Sequence, residues 1–90
     1  MLQTISILVS GKVQGVFYRQ STKEKAMELG INGIVRNLSN GNVYIRATGT
    51  TEQLDSLVNW CWQGPPRAKV ASVDVNIWPY QSFDSFTIVK

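Results

Sequence analysis

The stretch "GIVRNLSNGNVYIRATG", residues 33 to 49, commits this chain to a β-hairpin. Asn40-Gly41 is the residue pair that a two-residue type I′ turn asks for, because both positions of that turn need positive φ. Val35 stands on one side, and Val43, Ile45 and Ala47 recur at alternate positions on the other, the period of a strand with one buried face. A lone hairpin is marginal in water, so the flanking sequence has to cover that apolar face.

It supplies two helices and further strands. "TISILVS" alternates, with Ile5, Ile7 and Val9 on one side and Thr4, Ser6 and Leu8 on the other, and predicts a half-buried strand. "QSTKEKAMELG" is rich in good helix formers and stops at Gly30. "TTEQLDSLVNWCWQG" predicts a second helix, with Thr50 and Gln53 spaced as a capping box and Gly64-Pro65 closing it. Its Leu54, Leu57, Val58 and Cys61 form one core-facing stripe, so Cys61 is a packed small hydrophobe. Trp60 and Trp62 are expected to cover a helix or sheet edge. Val73, Val75 and Ile77 alternate in a strand ended by Pro79, and Phe86 and Ile88 in a short last one. The order βαββαβ plus a terminal strand predicts an α+β, ferredoxin-like split-βαβ sandwich, an antiparallel sheet with two helices on one face. Ninety residues fit one domain, 1–90.

Chemistry is narrowed by what is missing. There is no histidine and a single cysteine, which excludes serine and cysteine triads of the usual kind, internal disulfides and cysteine metal cages. No apolar run is long enough to span a membrane, and the first residues lack a basic leader, so a cytoplasmic protein without a membrane partner is expected. The net charge of +3 is spread along the chain and mildly favours anionic ligands. Nothing demands a dimer, and a monomer is expected.

"SGKVQGVFYRQST", residues 10 to 22, links the first strand to the first helix. Helix N-termini carry unpaired N–H groups and attract anions. Gly15 lets the backbone turn with positive φ, so that the amides from Gln14 to Tyr18 (Gln14, Gly15, Val16, Phe17, Tyr18) can converge as an anion nest. Arg19 follows, its planar fork matched to phosphate oxygens. By period two Asn37 shares the face of Val35, where an unpaired carboxamide is costly. It either caps the hairpin or borders the anion pocket. Lys12, Gln14, Phe17 and Tyr18 are candidates to shape the pocket mouth.

"LVSGKVQGVFYR" resembles the first signature of the acylphosphatase family, G-x-V-Q-G-V-x-F-R. "GIVRNLSNGNVYIRATG" resembles the second, and "GPPRAKVASV" is similar to the family's G-P-P-x-A-x-V segment. Tyr18, Ile34 and Tyr44 depart from the residues usual at their positions. The resemblance implies hydrolysis of acyl phosphates to a carboxylate and orthophosphate, without metal, cofactor or covalent intermediate. By position it gives Arg19 and the amides of Gly15 to Tyr18 the phosphate, and Asn37 the attacking water. Two other classes share the fold: a non-catalytic phosphate-binding module and an RNA-binding module. The latter needs exposed aromatics on its first and third strands, where this chain offers only Tyr44, so no nucleic-acid partner is expected.

Overall fold

A computed structural model describes residues Met1–Lys90. The elements are β1 (Gln3–Lys12), α1 (Tyr18–Leu29), β2 (Asn32–Asn37), β3 (Val43–Gly49), α2 (Thr51–Gln63), β4 (Lys69–Trp78) and β5 (Phe86–Val89). They form one five-stranded sheet in the order β4-β1-β3-β2-β5. The first four strands pair antiparallel, as the split-βαβ pattern expects. β5 adds to β2 in parallel, pairing Val35 with Ile88, so the sheet as a whole is mixed. β4 and β5 lie at opposite edges of the sheet, and residues 79–85 carry the chain from one to the other.

Ile5, Ile7, Val9, Val35, Val43, Ile45 and Ala47 leave the sheet on one side and meet Ala26, Leu54, Leu57 and Cys61 of the helices in one core. α1 lies against β2 and β5, and α2 against β1, β3 and β4. The Thr50–Gln53 capping box forms as expected, with Gln53 N–H donating to Thr50 Oγ1 at 3.2 Å and Thr50 N–H to Gln53 Oε1 at 2.8 Å. At the end of α1 the Gly30 N–H bonds to the Met27 carbonyl and the Ile31 N–H to that of Ala26, the two bonds of a Schellman motif. Trp60 covers a helix edge by packing on Tyr18, with ring centroids 5.4 Å apart, while Trp62 is exposed.

Two expectations change in detail. The hairpin turn is longer than the type I′ form: Gly41 N–H bonds to the Leu38 carbonyl at 3.2 Å and Leu38 N–H to the Asn42 carbonyl at 2.8 Å. Only Gly41 takes positive φ, 94°, and Asn40 does not. Three residues between the bonded pair match a turn followed by a glycine bulge, which leaves the Asn40 side chain free to accept from Asn42 N–H at 3.1 Å. On β4, Val73 is half-buried but Val75 and Ile77 are 43% and 87% exposed, because β4 is an edge strand with a neighbour on one side only.

The face away from the helices is crossed by residues 79–85. Thr4 and Thr48, both buried, share a 2.6 Å hydrogen bond, and Thr48 donates to the Gln81 carbonyl at 2.6 Å. The Gln81 N–H donates back to Thr4 Oγ1 at 2.9 Å. These bonds satisfy hydroxyls that would otherwise be costly to bury.

Candidate active site

The loop after β1 enters α1 through two left-handed residues. Gly15 has φ 74° and Phe17 has φ 65°, ψ 24°. Glycine adopts this conformation freely, and a Cβ built on Gly15 would meet no atom within 4 Å, so this stretch of backbone is open to an approaching ligand. Phe17 is the only non-glycine residue in the chain with positive φ. A left-handed aromatic residue stores roughly 1–3 kcal/mol of strain, a cost that gathers at ligand clamps. Phe17 occupies the N-cap position of α1 without a side-chain cap bond, and the first turn holds no acidic residue. The leading N–H groups of α1 therefore lack a side-chain acceptor.

The neighbouring side chains divide between core and cleft. Val16 is buried among the core residues and does not line the cleft. Tyr18 turns inward as well, donating its hydroxyl to the Cys61 carbonyl at 2.7 Å. Burial holds the Tyr18 phenol above its ordinary range, with the neighbouring Cys61 pushing the same way. Burial also pushes the Cys61 thiol up to about 12, against a smaller opposite effect of Tyr18. Both groups stay neutral near pH 7 and serve packing. Thr22 donates to the Tyr18 carbonyl at 2.7 Å, tightening the first turn.

Arg19 and Asn37 line the same cleft. Its volume is about 370 Å³, and its walls are Val13, Gln14, Gly15, Phe17, Tyr18, Arg19, Gln20, Asn37 and Ile88. Arg19 has no carboxylate partner, since the single ion pair in the molecule joins Lys25 to Glu28. Asn37 Oδ1 is buried without a hydrogen-bond partner. An orphaned acceptor of this kind costs about 1–3 kcal/mol unless a ligand or water satisfies it. An unpaired guanidinium, an open left-handed loop and an unpaired carboxamide thus share one concavity, with the donors that a tetrahedral oxyanion requires.

Of the residues expected from sequence, Gln14, Gly15, Phe17, Tyr18, Arg19 and Asn37 come together at the cleft, and Val16 and Lys12 do not line it. Sequence reasoning missed Val13, Gln20 and Ile88. Val13 and Gln20 bracket the loop, and their proximity to it was visible. Ile88 reaches the cleft only because β5 lies beside β2, a pairing that alternation in the last strand does not announce.

The sequence model of the acylphosphatase family matches residues 5–88. A Marinobacter nauticus acylphosphatase is 53% identical over 81 residues, covering 89% of this chain and 88% of its own length. The structure of an acylphosphatase from Coxiella burnetii superposes with a TM-score of 0.95 at 40% identity, covering 98% of this chain and 93% of that one. The acylphosphatase from Bacillus subtilis gives the same TM-score at 33% identity over the whole of both chains. The match spans the cleft-forming loop, the hairpin and β5 together, and the chain belongs to the acylphosphatase family.

Proposed function

We propose that the chain, as one catalytic unit over residues 1–90, hydrolyses acyl phosphates with Arg19 and the loop amides holding the phosphoryl group and Asn37 orienting the water. The reaction class follows from the family, and the cleft supports the division of roles. Arg19 supplies a bidentate cation, and the N–H groups from Gly15 to Tyr18 supply neutral donors to the remaining equatorial oxygens. The observation that carries the reading is the buried, unpartnered Oδ1 of Asn37 on the wall that also carries Arg19.

The chemistry needs little more. The acyl–oxygen leaving group is a carboxylate and needs no strong acid to depart. Water attacks phosphorus in line, the bond from phosphorus to the acyl oxygen breaks, and the water's proton passes to a phosphate oxygen, giving a carboxylate and dihydrogen phosphate. Asn37 takes no proton at neutral pH; its carboxamide oxygen accepts a hydrogen bond from the water and aligns it. Charge on the equatorial oxygens is stabilised by groups already in place.

Benzoyl phosphate turnover with a chelator present tests the proposal. Full activity is expected, because no step uses a metal ion. Arg19→Ala is expected to abolish measurable hydrolysis, and Asn37→Ala to raise the barrier by about 2.7–4 kcal/mol, the scale of one preorganised polar group. Both variants should keep the wild-type circular dichroism spectrum. Wild-type rates in either variant would overturn the roles. A cytoplasmic monomer acting on a small acyl phosphate, with neither nucleic acid nor membrane as partner, completes the reading. Sedimentation at working concentration checks the monomer.

A further inference from the structure

We infer that Gln14 is a positioning residue: its side chain clamps the phosphate loop to the hairpin turn and so sets the distance between the phosphoryl group and the water on Asn37. This rests on the proposed roles of Arg19 and Asn37 and adds what holds the two halves of the site in register.

The clamp is a pair of hydrogen bonds. Gln14 Nε2 donates to the Leu38 carbonyl at 2.8 Å and to the Asn42 carbonyl at 2.8 Å. Those carbonyls flank the β2–β3 turn. Leu38 follows Asn37 directly, and Asn42 precedes Val43, the strand partner of Asn37. Each carbonyl also accepts within the turn, Leu38 O from Gly41 N–H and Asn42 O from Leu38 N–H. Both therefore use two lone pairs, and both N–H bonds of one carboxamide are spent on them. The amide orientation follows from the partners, since turning Oε1 toward two carbonyl oxygens would set three acceptors together.

Two consequences separate this role from direct phosphate binding. The Gln14 amide nitrogen is already committed, so the side chain has no N–H left for an anion. The Asn37 side chain has no hydrogen bond to the protein through Oδ1, so its place relative to the loop is set by the backbone that carries it. On the loop side that backbone is tied down through Gln14. Glutamine suits this position because glutamate of the same shape would turn acceptors toward both carbonyls and bring a negative charge to an anion site.

The test is a double-mutant cycle on benzoyl phosphate hydrolysis with Gln14→Ala, Asn37→Ala and the pair, alongside the inhibition constant for orthophosphate. In the wild-type background Gln14→Ala is expected to lower kcat about 10- to 100-fold, the scale of a misplacement near 1 Å, with little change in orthophosphate inhibition. In the Asn37→Ala background the same change is expected to cost little more, because the water-orienting group is already gone. Equal fold-losses in both backgrounds, or a loss confined to orthophosphate affinity with kcat preserved, would overturn the positioning role. If Gln14→Ala does not fold, the uncharged Gln14→Met, of similar length and without either N–H donor, carries the cycle, with the same non-additivity expected. Failure of the underlying reading looks different, since Asn37→Ala alone would then leave kcat intact.

Discussion

Gly15 and Phe17 share a left-handed backbone, yet substitutions at them should move stability in opposite directions. Gly15→Ala places a Cβ on a residue with φ 74° and should cost about 1–2 kcal/mol by urea unfolding, the usual penalty of that conformation for an L residue. The methyl group clashes with nothing in the free protein, so its further effect falls on the ligand: it projects over the open loop and weakens orthophosphate inhibition. Phe17→Gly relieves the strain and removes a side chain that is 73% exposed. Its stability is expected to stay level or to rise by up to about 1 kcal/mol, the relief being partly offset by a more flexible unfolded chain. A clear loss of stability in Phe17→Gly would show that the ring packs more than its exposure indicates. Gly15 was legible in sequence as the residue a close approach requires. The strain at Phe17 was not, because nothing about an aromatic residue announces positive φ.

At the scale of elements, α1 and α2 begin in different ways. α2 starts with a reciprocal capping box and carries Glu52 in its first turn, whereas α1 starts with Phe17, no side-chain acceptor and no acid. An anion at the start of α1 completes a helix terminus that the chain leaves open. Orthophosphate should therefore raise the thermal midpoint of the wild type, by an amount equal to about 2.7 kcal/mol at a concentration 100 times its dissociation constant. In Arg19→Ala the same concentration should give a much smaller shift, read by differential scanning calorimetry. A full shift in that variant would place the stabilising anion elsewhere. The elements themselves were readable: the capping box, the Gly30 stop and the alternating strands rest on residues a few positions apart. The hairpin was read with the right strands and the wrong turn, since Asn-Gly suits both a two-residue turn and a bulged three-residue one, and the choice lies with the register of the strands.

For the whole molecule, the packing of α1 on α2 predicts an alkaline limit. Tyr18 and Cys61 meet where the two helices pack, and burial raises both above their ordinary values of 10.0 and 9.0. In the folded protein each holds its proton to higher pH than in the unfolded chain. Their contribution is thus fully present below pH 9 and is lost as pH rises toward the folded values. Stability should fall from about pH 9 with a slope of roughly one proton, steepening above pH 10 when Tyr18 joins. Urea unfolding between pH 7 and 11 reads the slope. In Cys61→Ala the decline should begin later, near the ordinary range of tyrosine. A flat profile would mean that the helix interface admits water. Cys61 was legible as core from its place in the apolar stripe of α2; its contact with Tyr18, 43 residues away in sequence, was not.

The amino-acid sequence alone determined the strands, the helices, the capping box of α2, the Gly30 stop and a loop suited to an anion, because periodicity, turn chemistry and helix ends act over a few residues. It also placed Arg19 and Asn37 as candidates by residue type and position. Tertiary structure decided what those residues face. Gln14 finds its two carbonyls 24 and 28 residues away. Ile88 reaches the cleft because β5 runs parallel to β2, and Asn37 Oδ1 is left unpaired only once the loop and hairpin have closed around it. Such placements depend on which distant segments share a boundary, and that is settled when the core of sheet and helices buries its apolar face as a unit.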